Sequence, residues 1–162
     1  MRYGVCVLLA MFLAGCGEDD PPAEKPDQLL PVTGTVKMDG KPLPGAVVIF
    51  LLQGQGTSAF NVMGSTGAEG TYTLKTRAGQ EFHDGAPPGE YKVFITRMVK
   101  PDGSALPPDP STPPAMVGAK ESIAFKFSNP GQTVLKASVA PGKDKFDFEV
   151  EPNAITGGPP RL

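Results

Sequence analysis

Val32-Thr33-Gly34-Thr35-Val36-Lys37-Met38-Asp39-Gly40 reads as one strand and the turn that ends it. Val32, Gly34, Val36 and Met38 alternate with Thr33, Thr35 and Lys37, the period of two that gives a strand one buried face. Asp39-Gly40 supplies residues that tolerate positive φ, and Pro42 and Pro44-Gly45 close the connection. Ala46 to Leu52 then runs apolar without interruption and is rich in β-branched residues, which predicts a strand covered on both faces.

The same grammar continues toward the C-terminus. Gln53 to Thr57 is a glycine-rich loop, and a weaker strand follows around Ala59 to Thr66. After the Glu69-Gly70 turn, Tyr72 and Leu74 alternate with Thr71, Thr73 and Lys75. Ala78 to Gly89 reads as a loop, and Pro87-Pro88-Gly89 launches a strand over Glu90 to Arg97 with Tyr91, Val93 and Ile95 inward. Six prolines between Val99 and Ala119 cannot sit in a ladder, so that segment is expected to be an extended surface excursion. Ile123, Phe125 and Phe127 then share one face, as do Leu135, Ala137 and Val139. The Pro141-Gly142 turn leads to Phe146, Phe148 and Val150, opposed by Lys145, Asp147 and Glu149.

No window after the N-terminus carries an apolar period of 3.6, so helices are expected to be absent or minor. The expectation is an all-β protein, a single antiparallel β-sandwich of about seven strands over residues 31–151 with a proline-rich loop at 99–119. Residues 152–162 read as a frayed tail. Burying Phe125, Phe127, Phe146 and Phe148 would contribute on the order of 1.5–3 kcal/mol each and clamp the last strands against the first. Gly and Pro together make 39 of 162 residues, 20 and 19 respectively, a composition that approaches disorder. Their placement between alternating segments marks them instead as punctuation in the middle of the chain.

The N-terminus sets a second boundary. Arg2 is a thin positive region, and Tyr3 to Gly15 form an apolar run without charge, too short for the roughly 20 residues of a membrane span. Leu13-Ala14-Gly15-Cys16 resembles the lipobox of bacterial lipoproteins. The resemblance implies that residues 1–15 are a signal peptide, with Leu13, Ala14 and Gly15 recognised by the signal peptidase. Cys16 would then become the first residue and carry the acyl chains. Several chains on one residue matter, because a single one gives only marginal membrane binding. The alternative is an ordinary secreted protein cut near Gly15, with Cys16 a free thiol. Residues 16–30, with Glu18, Asp19, Asp20, Pro21, Pro22, Glu24 and Pro26, read as a solvated tether. Their carboxylates lack the loop spacing of a calcium site.

Removing residues 1–15 takes away one basic residue and no acidic ones, leaving 14 Lys+Arg against 17 Asp+Glu and a net charge of −3 with His83 neutral. That balance argues against a nucleic-acid partner, which would want a clustered basic face. With Cys6 lost and Cys16 acylated, no disulfide remains, and about 120 residues must stand on one hydrophobic core.

Chemistry is scarce. Zinc hydrolysis needs about three convergent ligands, and the chain has one histidine. His83-Asp84 invites an acid–base reading against that of a solvated loop pair. No Gly-x-Ser-x-Gly turn accompanies it, and no glycine-rich loop opens a helix. No catalytic residue, metal ligand or cofactor is therefore expected, and the chain is read as a non-enzyme. Two readings of its role follow: a structural or protein-interaction module of the cell envelope held to the membrane through its acyl chains, or a carbohydrate- or small-ligand-binding module. In the second, the loops Gln53–Thr57 and Ala78–Gly89 would form the site, with Phe82 their only aromatic.

Three pieces together resemble the carboxypeptidase regulatory-like domain, a transthyretin-like (prealbumin-like) sandwich: Val32 to Val36 with Gly40 to Ala46, then Thr66 to Leu74, then Gly89-Glu90-Tyr91. Short bacterial lipoproteins built from a lipobox, a spacer and one such domain have the same layout, and the resemblance covers roughly Val32 to Val150. In peptidases this module accompanies the catalytic domain and carries no chemistry itself. A related module, the collagen-adhesin B-type repeat, forms a Lys–Asn isopeptide bond assisted by a buried acid. Lys37 shares the Lys-x-Asp context of that lysine, but Ile95 stands where the acid is expected, and alternation puts Lys37 on the polar face.

Overall fold

The computed structural model describes residues 27–54, 60–107 and 112–154. The alternation that opens the domain becomes β1 (Thr33–Met38), and the Asp39-Gly40 turn folds it back onto β2 (Lys41–Pro42). Asp39 and Gly40 have φ of 51° and 73°, the two consecutive positive angles of a tight hairpin. The Glu149 carboxylate accepts the Gly40 N–H at 2.7 Å.

The chain continues through β3 (Val47–Leu52), β4 (Phe60–Ser65), β5 (Thr71–Thr73), β6 (Lys75–Ala78), β7 (Glu81–Asp84), β8 (Gly89–Thr96) and β9 (Met98–Val99). It ends with β10 (Lys120–Glu121), a short helix α1 (Phe125–Ser128), β11 (Leu135–Val139) and β12 (Phe148–Val150). Among the described residues, one sheet runs β12-β1-β2, with β5 also paired to β1; a second runs β11-β8-β3-β4-β6-β7, and β10 pairs with β9 as a two-stranded ribbon. The fold is an all-β sandwich. Among the described residues its ladders are antiparallel except that β12 lies parallel to β1, Val36 opposite Phe148, a pairing that the Thr33–Lys145 bridge extends. The last strand thereby closes against the first.

Val32, Val36, Val48, Phe50, Leu74 and Ile95 are all essentially buried between the sheets, so the inward sets read from alternation are the core. Three segments differ from expectation. Val47, Ile49 and Leu51 on β3 are half-buried or exposed, because the six-stranded sheet has one face toward solvent; the apolar run is not covered on both sides. The segment Ala78–Gly89 is not a loop: β7 pairs with β6, Thr76 opposite His83. Ile123 and Phe127 are buried while Phe125 is 58% exposed, because Phe125 to Ser128 turn as a helix and place Phe125 on its outer side. Residues four apart share a helix face, so Ile123 and Phe127 fit either period and only Phe125 told them apart.

The proline-rich excursion is also more tied than an extended loop. β9 and β10 pair at its base, Leu106 N–H donates to the Met98 carbonyl at 2.8 Å, and Pro114–Val117 form a turn of 3-10 helix. Arg97 binds the Pro44 carbonyl through Nε at 2.9 Å, and its backbone N–H donates to Glu121 at 3.0 Å.

Tyr91 anchors the start of β8. Its hydroxyl donates to the Pro87 carbonyl four residues upstream at 2.7 Å, the arrangement of a tyrosine corner. The ring is buried against Phe50, and burial pushes the phenol far above its ordinary pKa, so the donor is retained. Tyr91→Phe leaves the buried carbonyl unpaired and is expected to cost about 1–3 kcal/mol. Urea unfolding should show a lower midpoint at unchanged slope; an unshifted midpoint would mean that the corner contributes nothing.

Candidate functional site

The strand Thr71–Ala78 changes sheets. Its first half pairs with β1, Thr33 opposite Thr73 and Thr35 opposite Thr71. At Leu74 it steps over, the Leu74 N–H donating to the Val32 carbonyl at 2.9 Å, and its second half pairs with β4 and β7. The step bends the outer surface into a groove of about 720 Å³, within the ordinary size of ligand sites.

The groove floor is a two-by-two array of threonines. Thr33 and Thr35 from β1 lie beside Thr73 and Thr71 from β5, all on the outward face. Cross-strand neighbours stand about 5 Å apart. Along each strand the spacing is about 6.6 Å. None of the four hydroxyls has a hydrogen-bond partner among the described residues. The surrounding backbone leaves no slack: a Cβ on Gly64 of β4 would lie 2.4 Å from the Thr73 carbonyl.

Two lysines at the rim have carboxylate partners. Lys75 is paired with Asp84 at 3.1 Å, and Lys145 lies 3.8 Å from Asp147. Phe82 stands at the edge, 57% exposed, with the Arg77 guanidinium 5.8 Å from its ring centre. Beneath the floor the Tyr72 hydroxyl donates to the Phe146 carbonyl at 2.7 Å. Its phenol is raised well above the ordinary range, first by burial and then by the nearby Asp147 charge. It is a fixed donor.

The residues singled out from the sequence fall as follows. Leu13, Ala14, Gly15 and Cys16 lie outside the described residues. His83 and Asp84 do not form a pair, because adjacent strand residues point to opposite faces. His83 Nε2 sits 3.7 Å from Glu81, and Asp84 faces Lys75 on the other side. Lys37 is exposed in a shallow depression with Lys145, Asp147 and Glu149, while Ile95 is fully buried in the core. Of the loop Gln53–Thr57 only Gln53 and Gly54 are described, and of the loop Ala78–Gly89 only Phe82 reaches the groove. The threonine floor was missed as a site. Its signal was present as Thr-x-Thr in two strands, but a polar strand face by itself carries no chemistry.

No family model, no curated protein and no solved structure matches this chain. What the fold and the groove define is therefore a class, an all-β sandwich with an open, threonine-floored groove at its sheet-switching strand.

Proposed function

We propose that this chain is a lipid-anchored β-sandwich of the bacterial cell envelope that acts as a non-catalytic structural or protein-interaction module. The observation that carries this is Leu13-Ala14-Gly15-Cys16 at the end of a short apolar run, followed by an acidic, proline-rich stretch that separates it from the first strand. The resemblance of Val32 to Val150 to the carboxypeptidase regulatory-like domain supports the non-catalytic role. So does the separation of His83 from Asp84, which leaves the imidazole beside Glu81.

In cells, the full-length protein is expected in the membrane fraction after a high-salt wash. Cys16→Ala should reduce that bound fraction by about tenfold or more, since each buried methylene of the lost chains contributes about 0.8 kcal/mol. Fractionation with mass spectrometry of the processed N-terminus measures both. A Cys16→Ala protein that still pellets with washed membranes would overturn the anchor.

A second reading is a carbohydrate- or small-ligand-binding module. The groove favours it, because four hydroxyls without partners among the described residues and one exposed ring lie on a concave surface.

A further inference from the structure

We propose that the groove over the Thr33, Thr35, Thr71 and Thr73 array binds a neutral oligosaccharide, with Phe82 as the stacking edge. The proposal rests on the ligand-binding reading above and specifies its site and ligand class. Three features select this chemistry. First, a threonine hydroxyl both donates and accepts, so four of them in fixed register can exchange hydrogen bonds with a polyol whichever way its own hydroxyls point. Their spacing, about 5 Å by about 6.6 Å, is comparable to one sugar ring. A groove of about 720 Å³ holds more than one such ring.

Second, the two lysines of the groove lining already have carboxylate partners. Lys75 with Asp84 and Lys145 with Asp147 offset one another, so an anionic ligand would compete with a carboxylate at each ammonium. A neutral ligand meets no such competition. Third, the exposed Phe82 ring has the Arg77 guanidinium over one face at 5.8 Å, and its other face can cover the apolar C–H face of a pyranose.

A peptide partner is disfavoured by the same geometry. The floor is the face of a sheet in which β1 is paired on both sides, so β1 itself offers no free edge for an added strand.

The test uses the full chain in detergent micelles on an array of neutral tetrasaccharides (maltotetraose, cellotetraose, chitotetraose) with tetragalacturonate as the acidic arm. Calorimetry follows on the best binder. The double variant Thr35→Val/Thr73→Val removes two hydroxyls at constant shape and keeps the β-branching. It and Phe82→Ala should each weaken binding by about tenfold or more, while Met116→Ser, far along the chain and outside the groove lining, leaves it unchanged. Circular dichroism of each variant controls for folding. Binding of a neutral sugar that falls in both groove variants supports the proposal. Binding that both variants leave intact overturns the groove assignment and leaves the ligand-binding reading standing. Preference for tetragalacturonate overturns the neutral class. Binding of no sugar at millimolar concentration overturns site and reading together and leaves the groove to a protein partner.

Discussion

A Gly34→Ala chain is expected to fail to fold, or to fold with most of its stability gone. An ideal Cβ at this position would sit 1.7 Å from the Phe146 carbonyl oxygen, and 2.7 Å from both the Phe146 carbonyl carbon and the Tyr72 hydroxyl. The obstacle is mainly backbone, so no rotamer change relieves it. Either β1 or the segment before β12 must move. That movement breaks the Phe146 N–H bond to the Thr33 carbonyl (2.9 Å), and with it the Tyr72 bond to Phe146 (2.7 Å). It also strains the Thr35 N–H bond to Asp147 (2.8 Å). Losing two bonds and straining a third to make room for one methyl belongs among the rare substitutions that cost about 4–5 kcal/mol or more. A domain stable by about 5–15 kcal/mol has little left after that.

Gly40→Ala is the matched control. At φ +73° its backbone disfavours a side chain, yet nothing lies within 4 Å of the added carbon, so the cost should stay near the left-handed penalty of about 1–2 kcal/mol. The pair separates crowding from conformation. Thermal melts and urea titrations of both variants decide it: a Gly34→Ala midpoint equal to that of Gly40→Ala would mean that Phe146 does not press on β1.

Gly34 also shows what was legible in the sequence and what was not. Alternation placed it correctly on the inward face of a strand, between Val32 and Val36. The reason for a glycine there is a carbonyl more than a hundred residues away, and no local pattern carries that information. The same division runs through the chain. Local chemistry gave the Asp39-Gly40 hairpin, the Pro87-Pro88-Gly89 launch of β8 and seven of the strand segments, because turn residues and a period of two are properties of neighbours. Tertiary partners decided the rest. The four-residue hairpin strand β7 exists because β6 offers it an edge, not because Glu81-Phe82-His83-Asp84 favours extension. The groove followed the same rule: each Thr-x-Thr was visible alone, and only the pairing of β1 with β5 sets them side by side.

Phe50→Ala is expected to be the most costly substitution of a core side chain, at about 3–5 kcal/mol. Phe50 is 1% exposed and touches aromatic rings from both sides of the sandwich. Tyr91 of its own sheet lies at 5.5 Å, and Phe146 and Phe148, from the closing segment, lie at 6.0 and 6.2 Å with near-perpendicular planes. Edge-to-face pairs of this kind add about 0.5–1.5 kcal/mol beyond the buried area. The aromatic clamp read from the sequence is thus real at Phe146 and Phe148, but its centre is Phe50 on β3, and Phe125 has no part in it. Phe125→Ala, at a 58% exposed ring, should change stability by less than about 1 kcal/mol. If the rings act as one seam, Phe50→Ala and Phe148→Ala should be non-additive, with a coupling of about 0.5–3 kcal/mol in a double-mutant cycle by urea unfolding. Equal costs for Phe50→Ala and Phe125→Ala would overturn the seam. Because Phe146 also receives the Tyr72 hydroxyl through its carbonyl, loss of the seam should reach the threonine floor, where β1 and β5 rest on that same residue.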